Sequence, residues 1–229
     1  MLLQEIKKIL RVDEYYALRK NGHPIVLTIR SFLVAMAIYM LARTFIITVF
    51  FLLSQQGIFE IPGKRYSTAE WSFVNVAIVT PIFEEFQYRG ILHYSRRNLS
   101  ASLACWGLFF WLTTDIPDLV PLNYRYQNII IILLLYSIAR ILIEHNRQLD
   151  KTLSDLQEKN RVLLIYLSSF AFGIMHLSKF EIEYTYQLII ALPYIVSGFI
   201  LAYYRIRYGI LASISMHAFN NALPFIFSK

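Results

Sequence analysis

The sequence predicts an all-α protein: a polytopic transmembrane helical bundle of about seven spanning helices, with an N-terminal amphipathic helix at the membrane interface. Three observations predict it. Of the 229 residues, 57% are hydrophobic and 16% charged, against roughly 45–50% and about 25% in a soluble domain. The apolar residues fall in blocks close to the roughly 20 residues that a spanning helix needs. Lys and Arg gather in alternate connections between those blocks, as membrane topology requires. There is no Gly/Ser-rich linker, low-complexity tract or clear repeat, so 1–229 reads as a single integral membrane domain.

Within 1–24, Leu2, Leu3, Ile6, Ile9 and Leu10 lie at helical spacing opposite Lys7, Lys8 and Arg11. Such a helix either rests on the membrane surface or packs on the bundle as a soluble helix. Gly22 and Pro24 end it. No cleavable signal peptide is expected, because the first long apolar block begins only near Ile25. Spans are expected over 25–53, 71–95, 99–114, 126–143, 162–177, 185–204 and 209–227, the third and fifth being short. Between the fourth and fifth, HNRQLDKTLSDLQEKN (145–160) is the most polar stretch, and its Leu149, Leu153 and Leu156 recur at i, i+4 and i+7. That spacing predicts an amphipathic helix at the inner surface. With the N-terminus inside, thirteen Lys and Arg of the connections fall on the inner side, Arg205 and Arg207 among them. Five fall outside: Lys64, Arg65, Arg125, Lys179 and Lys229. The orientation is therefore N-inside, C-outside.

The net charge of +7 belongs to this topology and does not point to nucleic acid. No phosphate loop, zinc-knuckle spacing or basic recognition helix accompanies it. The single cysteine, Cys105, sits in an apolar block and reads as a buried structural residue.

Each ionisable group at mid-membrane costs roughly 2.5–3.5 kcal/mol on insertion scales, so it needs a partner or a task. The spans hold Arg30, Arg43, Glu84, Glu85, Arg89, Arg140, His176 and His217. Arg30 and Arg140 lie near inner ends and can snorkel; Arg43 lies deep. In PIFEEFQYRG (81–90), Glu85 and Arg89 are i and i+4 and can pair, while Glu84 projects about 100° away. Pro81 removes a backbone bond to the Ala77 carbonyl and predicts a kink before Glu84. Gly90 marks a close helix approach. Phe172 and His176 share one face of the fifth span, and His217 and Asn221 one face of the seventh. Singly, each has a structural explanation in ionic glue or inter-helix hydrogen bonding. Counted from the basic residues Arg97, Arg161 and Arg207, however, Glu84, His176 and His217 lie 13, 15 and 10 residues deep. At about 1.5 Å per residue these depths are roughly 20, 22 and 15 Å. Three helices thus deliver an acid, a histidine and a His/Asn pair to one level.

The motifs carry a resemblance. EEFQYR is similar to the EExxxR motif of the CPBP family of intramembrane proteases, the CAAX proteases and bacteriocin-processing enzymes, also called the Abi family. FGIMH (172–176) resembles its FxxxH and HAFNN (217–221) its HxxxN, in the family's order. The likeness covers about 71–95 and 162–227. The 92 residues between Glu84 and His176 exceed the family's usual spacing, and 98–160 reads as an insertion. The resemblance implies an integral protein of a bacterial inner membrane that hydrolyses peptide bonds of a peptide or membrane-protein substrate, prenylated or otherwise lipidated where the host makes one. It implies Glu84 as general base on a water shared with His176, and His217 and Asn221 as oxyanion donors. Glu85, Arg89 and Phe172 support them. No cofactor is expected; the alternative is a zinc enzyme with Glu84, His176 and His217 as ligands. Outside catalysis, the same residues would suit a non-catalytic scaffold or immunity protein, or a proton-coupled carrier.

Overall fold

A computed structural model describes residues 25–57, 73–113, 124–179 and 187–227. The helix expected within 1–24 lies outside them. Among the described residues there are eight α-helices and no strand. In chain order they are α1 (Ile25–Gln55), α2 (Thr80–Arg89), α3 (Arg96–Leu112), α4 (Tyr124–His145), α5 (Arg147–Lys159), α6 (Arg161–Met175), α7 (Gln187–Tyr208) and α8 (Ile210–Phe227). A π-helical turn, Asn75–Val79, leads into α2, and 3-10 turns follow α2 (Gly90–Leu92) and α6 (His176–Lys179). Each expected span overlaps helical structure, but the second, 71–95, is divided among the π turn, α2 and a 3-10 turn and is already extended at His93; the amphipathic helix expected at 145–160 is α5.

Among the described residues, three stretches are long and apolar enough to cross a membrane: Met36–Gln55 of α1, Gln127–His145 of α4, and α7. The apolar α6 has 15 residues and α3 has 17. α2 is shorter because it is spliced between a π turn and a 3-10 turn and carries the EExxxR charges. Two helix starts have side-chain caps that explain their position: Ser95 Oγ accepts from the Asn98 amide, and Asn146 Oδ1 from that of Leu149.

The tightest packing is between α6 and α7. A Cβ on Gly173 would come within 2.2 Å of the Ile195 side chain, and one on Gly198 within 2.8 Å of the Ser169 backbone. Without a hydrophobic drive between helices in lipid, small residues at such crossings provide the close van der Waals contact. Gly209, at φ +98°, makes a one-residue turn that returns the chain from α7 into α8. α2 packs against α3 and α8, and α1 against α7. The core lies where these meet and includes Tyr88, Leu92, Ile165, Phe172, Tyr203, Tyr204 and Met216. α4 packs chiefly on α3 and exposes Ile129, Leu133, Leu134, Ile138 and Leu142, an apolar face suited to lipid.

One expectation about charge is corrected here. Arg205 and Arg207 were placed in a connection, but α7 continues to Tyr208 and Arg205 is buried at 4% exposure. Arg140 forms an i,i+4 ion pair with Glu144.

α5 is tied to the exit of α2 by polar bonds. Gln157 donates to the Leu92 carbonyl at 3.0 Å. Asp150 accepts from Arg96 through both Nε (3.0 Å) and Nη2 (2.7 Å), and from the Tyr94 hydroxyl. The Arg96 fork, then Tyr94, holds the Asp150 carboxyl below its ordinary range. A lowered carboxyl stabilises the fold fully above its unfolded value of about 4, and loses that contribution only as pH falls through the lowered value. The melting temperature of Asp150→Asn should therefore sit a constant interval below wild type from pH 5 to 8, and the gap should close on acidification below about pH 4.

Candidate active site

The site begins with a backbone fault. Pro81 has no N–H and its ring crowds the carbonyl four residues back. The turn before it widens: the Thr80 amide bonds to the Asn75 carbonyl, five residues back instead of four. With Thr80 committed to Asn75 and residue 81 without a proton, the Val76 carbonyl has no helical donor. Asn221 of α8 supplies one, its Nδ2 lying 3.1 Å from that oxygen. The kink expected at Pro81 thus takes the form of a π turn, and the HxxxN asparagine is bonded to it.

One turn later come the two glutamates. Glu85 has no exposed surface, and its Oε1 accepts from Arg89 Nη1 at 3.2 Å, the expected i,i+4 pair. The same oxygen lies 3.0 Å from His217 Nδ1. A carboxylate paired with a guanidinium can only accept, so Nδ1 of His217 carries the proton. The other nitrogen of His217, Nε2, then faces Glu84 Oε2 at 3.4 Å. His176 is set in the same sense. Its Nδ1 is 2.7 Å from the Phe172 carbonyl, an obligate acceptor, and its Nε2 points to the same Glu84 oxygen at 4.0 Å. Two imidazoles from two helices therefore turn Nε2 toward one carboxylate oxygen. Glu84, with 16% of its side chain exposed, is the more accessible of the two acids.

Phe172 is the hub beneath them. The Arg89 guanidinium carbon sits 4.0 Å from its ring centroid, a cation–π contact that supports a charge with no water around it. The His176 ring lies at 4.5 Å, and the rings of His217 and Tyr88 meet it edge-on at 5.5 Å. Tyr194 of α7 stacks on the His176 ring at 4.4 Å and 26°. Arg205 donates Nε to the Arg89 carbonyl at 3.2 Å. Neither Tyr194 nor Arg205 was a candidate from sequence. Tyr194 is one aromatic among sixteen tyrosines, and Arg205 is one of two arginines at a helix end where snorkelling is the default.

The structure thus brings Glu84, Glu85, Arg89, Phe172, His176 and His217 into one cluster, with Asn221 on the π turn that precedes it. Among the described residues, no three His, Cys, Asp or Glu side chains close into a metal-binding arrangement. The Nε2 atoms of His176 and His217 turn toward Glu84 in the sense a zinc set would use.

An acid pair and two imidazoles meet inside an all-α bundle with long apolar helices, which places the chain in the class of polytopic helical membrane proteins. The particular family follows from comparison. The model described as type II CAAX prenyl endopeptidase Rce1-like matches residues 67–223, and the chain belongs to that family. Family membership makes it an integral membrane protein of the CAAX-protease type. No curated protein and no solved structure matches the chain.

If Asn221 acts on the carbonyl that Pro81 orphans, the two positions are coupled. Asn221→Ala should cost about 1 kcal/mol, because the Val76 acceptor left without its partner is part-buried. Pro81→Ala restores an N–H and lets the turn relax, so Asn221→Ala should cost less than half as much in that background. Additive losses in a thermal or denaturant double-mutant cycle would refute the coupling.

Proposed function

We propose that the protein is an intramembrane endopeptidase that cleaves a peptide bond with a glutamate-activated water. The observation that carries this is the bridging of His217 between Glu85 (3.0 Å) and Glu84 (3.4 Å), with His176 Nε2 addressing the same Glu84 oxygen. A water between Glu84 and His176 would lose its proton to Glu84 while its oxygen bonds to the scissile carbonyl carbon. His217 offers a lone pair at Nε2 because Glu85 holds its other proton. The proton taken by Glu84 can pass to that nitrogen. His217 then has an Nε2–H to donate to the oxyanion, and Asn221 has a second amide N–H beyond the one on Val76. Collapse of the tetrahedral intermediate breaks the C–N bond, and the same proton returns through Glu84 to the leaving amine. Glu85, Arg89 and Phe172 hold this arrangement without touching substrate. No step uses a metal or other cofactor. The family description supports a prenylated substrate with a C-terminal CAAX sequence. The distribution of Lys and Arg supports an N-terminus on the cytoplasmic side, and 98–160 is proposed to be an insertion between the motif helices.

The test is cleavage of an internally quenched, farnesylated CAAX peptide by protein reconstituted in liposomes. Glu84→Gln and His176→Ala should lower kcat by about 10²–10⁴-fold. His217→Ala and Asn221→Ala should lower it by about 10²–10³-fold. A strong zinc chelator should leave wild-type turnover intact; turnover lost to chelator and restored by zinc would replace the water-activation step with a metal-centred one. Wild-type turnover in Glu84→Gln, or none in the wild type, would reject the protease reading in favour of a scaffold or carrier.

A further inference from the structure

α7 carries no motif residue, yet two of its side chains reach the site from a single face. Tyr194 and Arg205 are eleven residues apart, which on an α-helix is three turns and about 16 Å, with their directions about 20° apart. Gly198 and Leu201, between them on that face, are buried, Gly198 in backbone contact with Ser169 of α6. The face is therefore seated rigidly on the helix that ends in His176.

The two ends of this face do different things. Tyr194 lies flat on the His176 ring at 4.4 Å. The Nδ1 side of the imidazole is held by the Phe172 carbonyl. A hydrogen bond fixes one ring atom but not the plane of the ring; an aromatic ring stacked on the imidazole face restricts rotation of that plane. Arg205 is a nearly fully buried guanidinium, a placement that is costly unless its charge is used. Its Nε donates to the carbonyl of Arg89, the last residue of α2. Carbonyls at a helix C-terminus lack intrahelical donors and carry negative partial charge, so a cation there is stabilising. Arg89 is also the residue whose side chain holds Glu85. The Glu85–Arg89 pair lies within α2 and moves with it, so a slide of α2 along its axis relative to α7 would have to break the Arg205 bond.

We propose that Tyr194 and Arg205 are positioning residues: Tyr194 sets the plane of His176, and Arg205 sets the axial position of α2 and so of Glu84. The proposal rests on the reading of Glu84 and His176 as the water-activating pair.

The experiment uses full-length protein in liposomes and two readouts. In the first, histidine carbethoxylation by diethyl pyrocarbonate is followed by mass spectrometry at His176 and His217 separately. Tyr194→Leu should raise the His176 rate at least fivefold and leave His217 within twofold, while Tyr194→Phe, which keeps the stack, should match wild type. A merely structural role would raise both histidines together or neither, and either result overturns the proposal for Tyr194. In the second, kcat and KM are measured on the farnesylated peptide, per folded molecule. Arg205→Lys keeps a charge but loses the Nε bond; it should lower kcat about tenfold with KM within twofold, and Tyr194→Leu should do the same. Folded Arg205→Lys with wild-type kcat overturns the proposal for Arg205. Failure of Glu84→Gln to reduce cleavage would instead strike the protease reading and leave the carbethoxylation result standing by itself.

Discussion

The ion pair between Glu85 and Arg89 is the constraint on which the site depends. Both side chains are wholly buried, where an unpaired charge would cost several kcal/mol and breaking a pair by removing one partner costs about 3–5 kcal/mol. Pairing alone does not make such an arrangement favourable over apolar packing, so its value lies in what it orders. By keeping Glu85 an acceptor, Arg89 dictates the tautomer of His217, and that tautomer turns Nε2 toward Glu84. Adjacent glutamates thus acquire opposite roles through nothing more than the 100° between neighbouring residues on a helix. One points into the ion pair; the other points to the two imidazoles. The Phe172 ring under the guanidinium completes the enclosure and links the first motif to the second.

The π turn performs the corresponding task for the backbone. An uninterrupted α-helix from residue 73 onward would leave no reason for α8 to bond to it. Pro81 breaks the ladder, the Val76 carbonyl is freed, and Asn221 takes it. The first and third motifs are then joined twice, through Asn221 to the backbone below the glutamates and through His217 to the glutamates themselves. π turns within α-helices often mark functional sites; here the physical reason is the unpaired acceptor that the wider turn leaves behind.

Much of this was legible in the sequence because a membrane simplifies the problem. Apolar block length gave the spans, leucine spacing gave α5, and residue counts from flanking arginines brought Glu84, His176 and His217 to one depth, where the structure has them in contact. The Glu85–Arg89 pair followed from i,i+4 geometry alone. What the sequence could not supply were partners across helices. A linear pattern states which face and what depth a side chain occupies, not which neighbour it meets. Hence the bridging role of His217, the Val76 acceptor of Asn221 and the stacking of Tyr194 were invisible. Arg205 was misplaced for a specific reason: at a helix end, a snorkelling arginine and one folded back onto a neighbouring carbonyl have the same sequence signature, and only the packing of α7 on the end of α2 distinguishes them.

Arg205 also changes the electrostatic account of the site. From sequence, two carboxylates and one arginine left a surplus acid. The second buried arginine, Arg205, places a further positive charge at the end of α2, against the Arg89 carbonyl, so two acids and two arginines share the bundle. A neutral set is the form that a low-dielectric interior tolerates best. It also suits the proposed chemistry. Water enters neutral; its proton goes to Glu84 and on to His217, while its oxygen becomes part of a substrate oxyanion. Charge is redistributed over a few ångströms, but the total inside the bundle stays at zero from water entry to amine departure. A site with a surplus acid could run the same steps but would carry one uncompensated charge throughout, at the cost of burying it. The arginines of α2 and α7 lower that standing cost, and Glu84 can accept a proton and return it without any change in the net charge of the bundle.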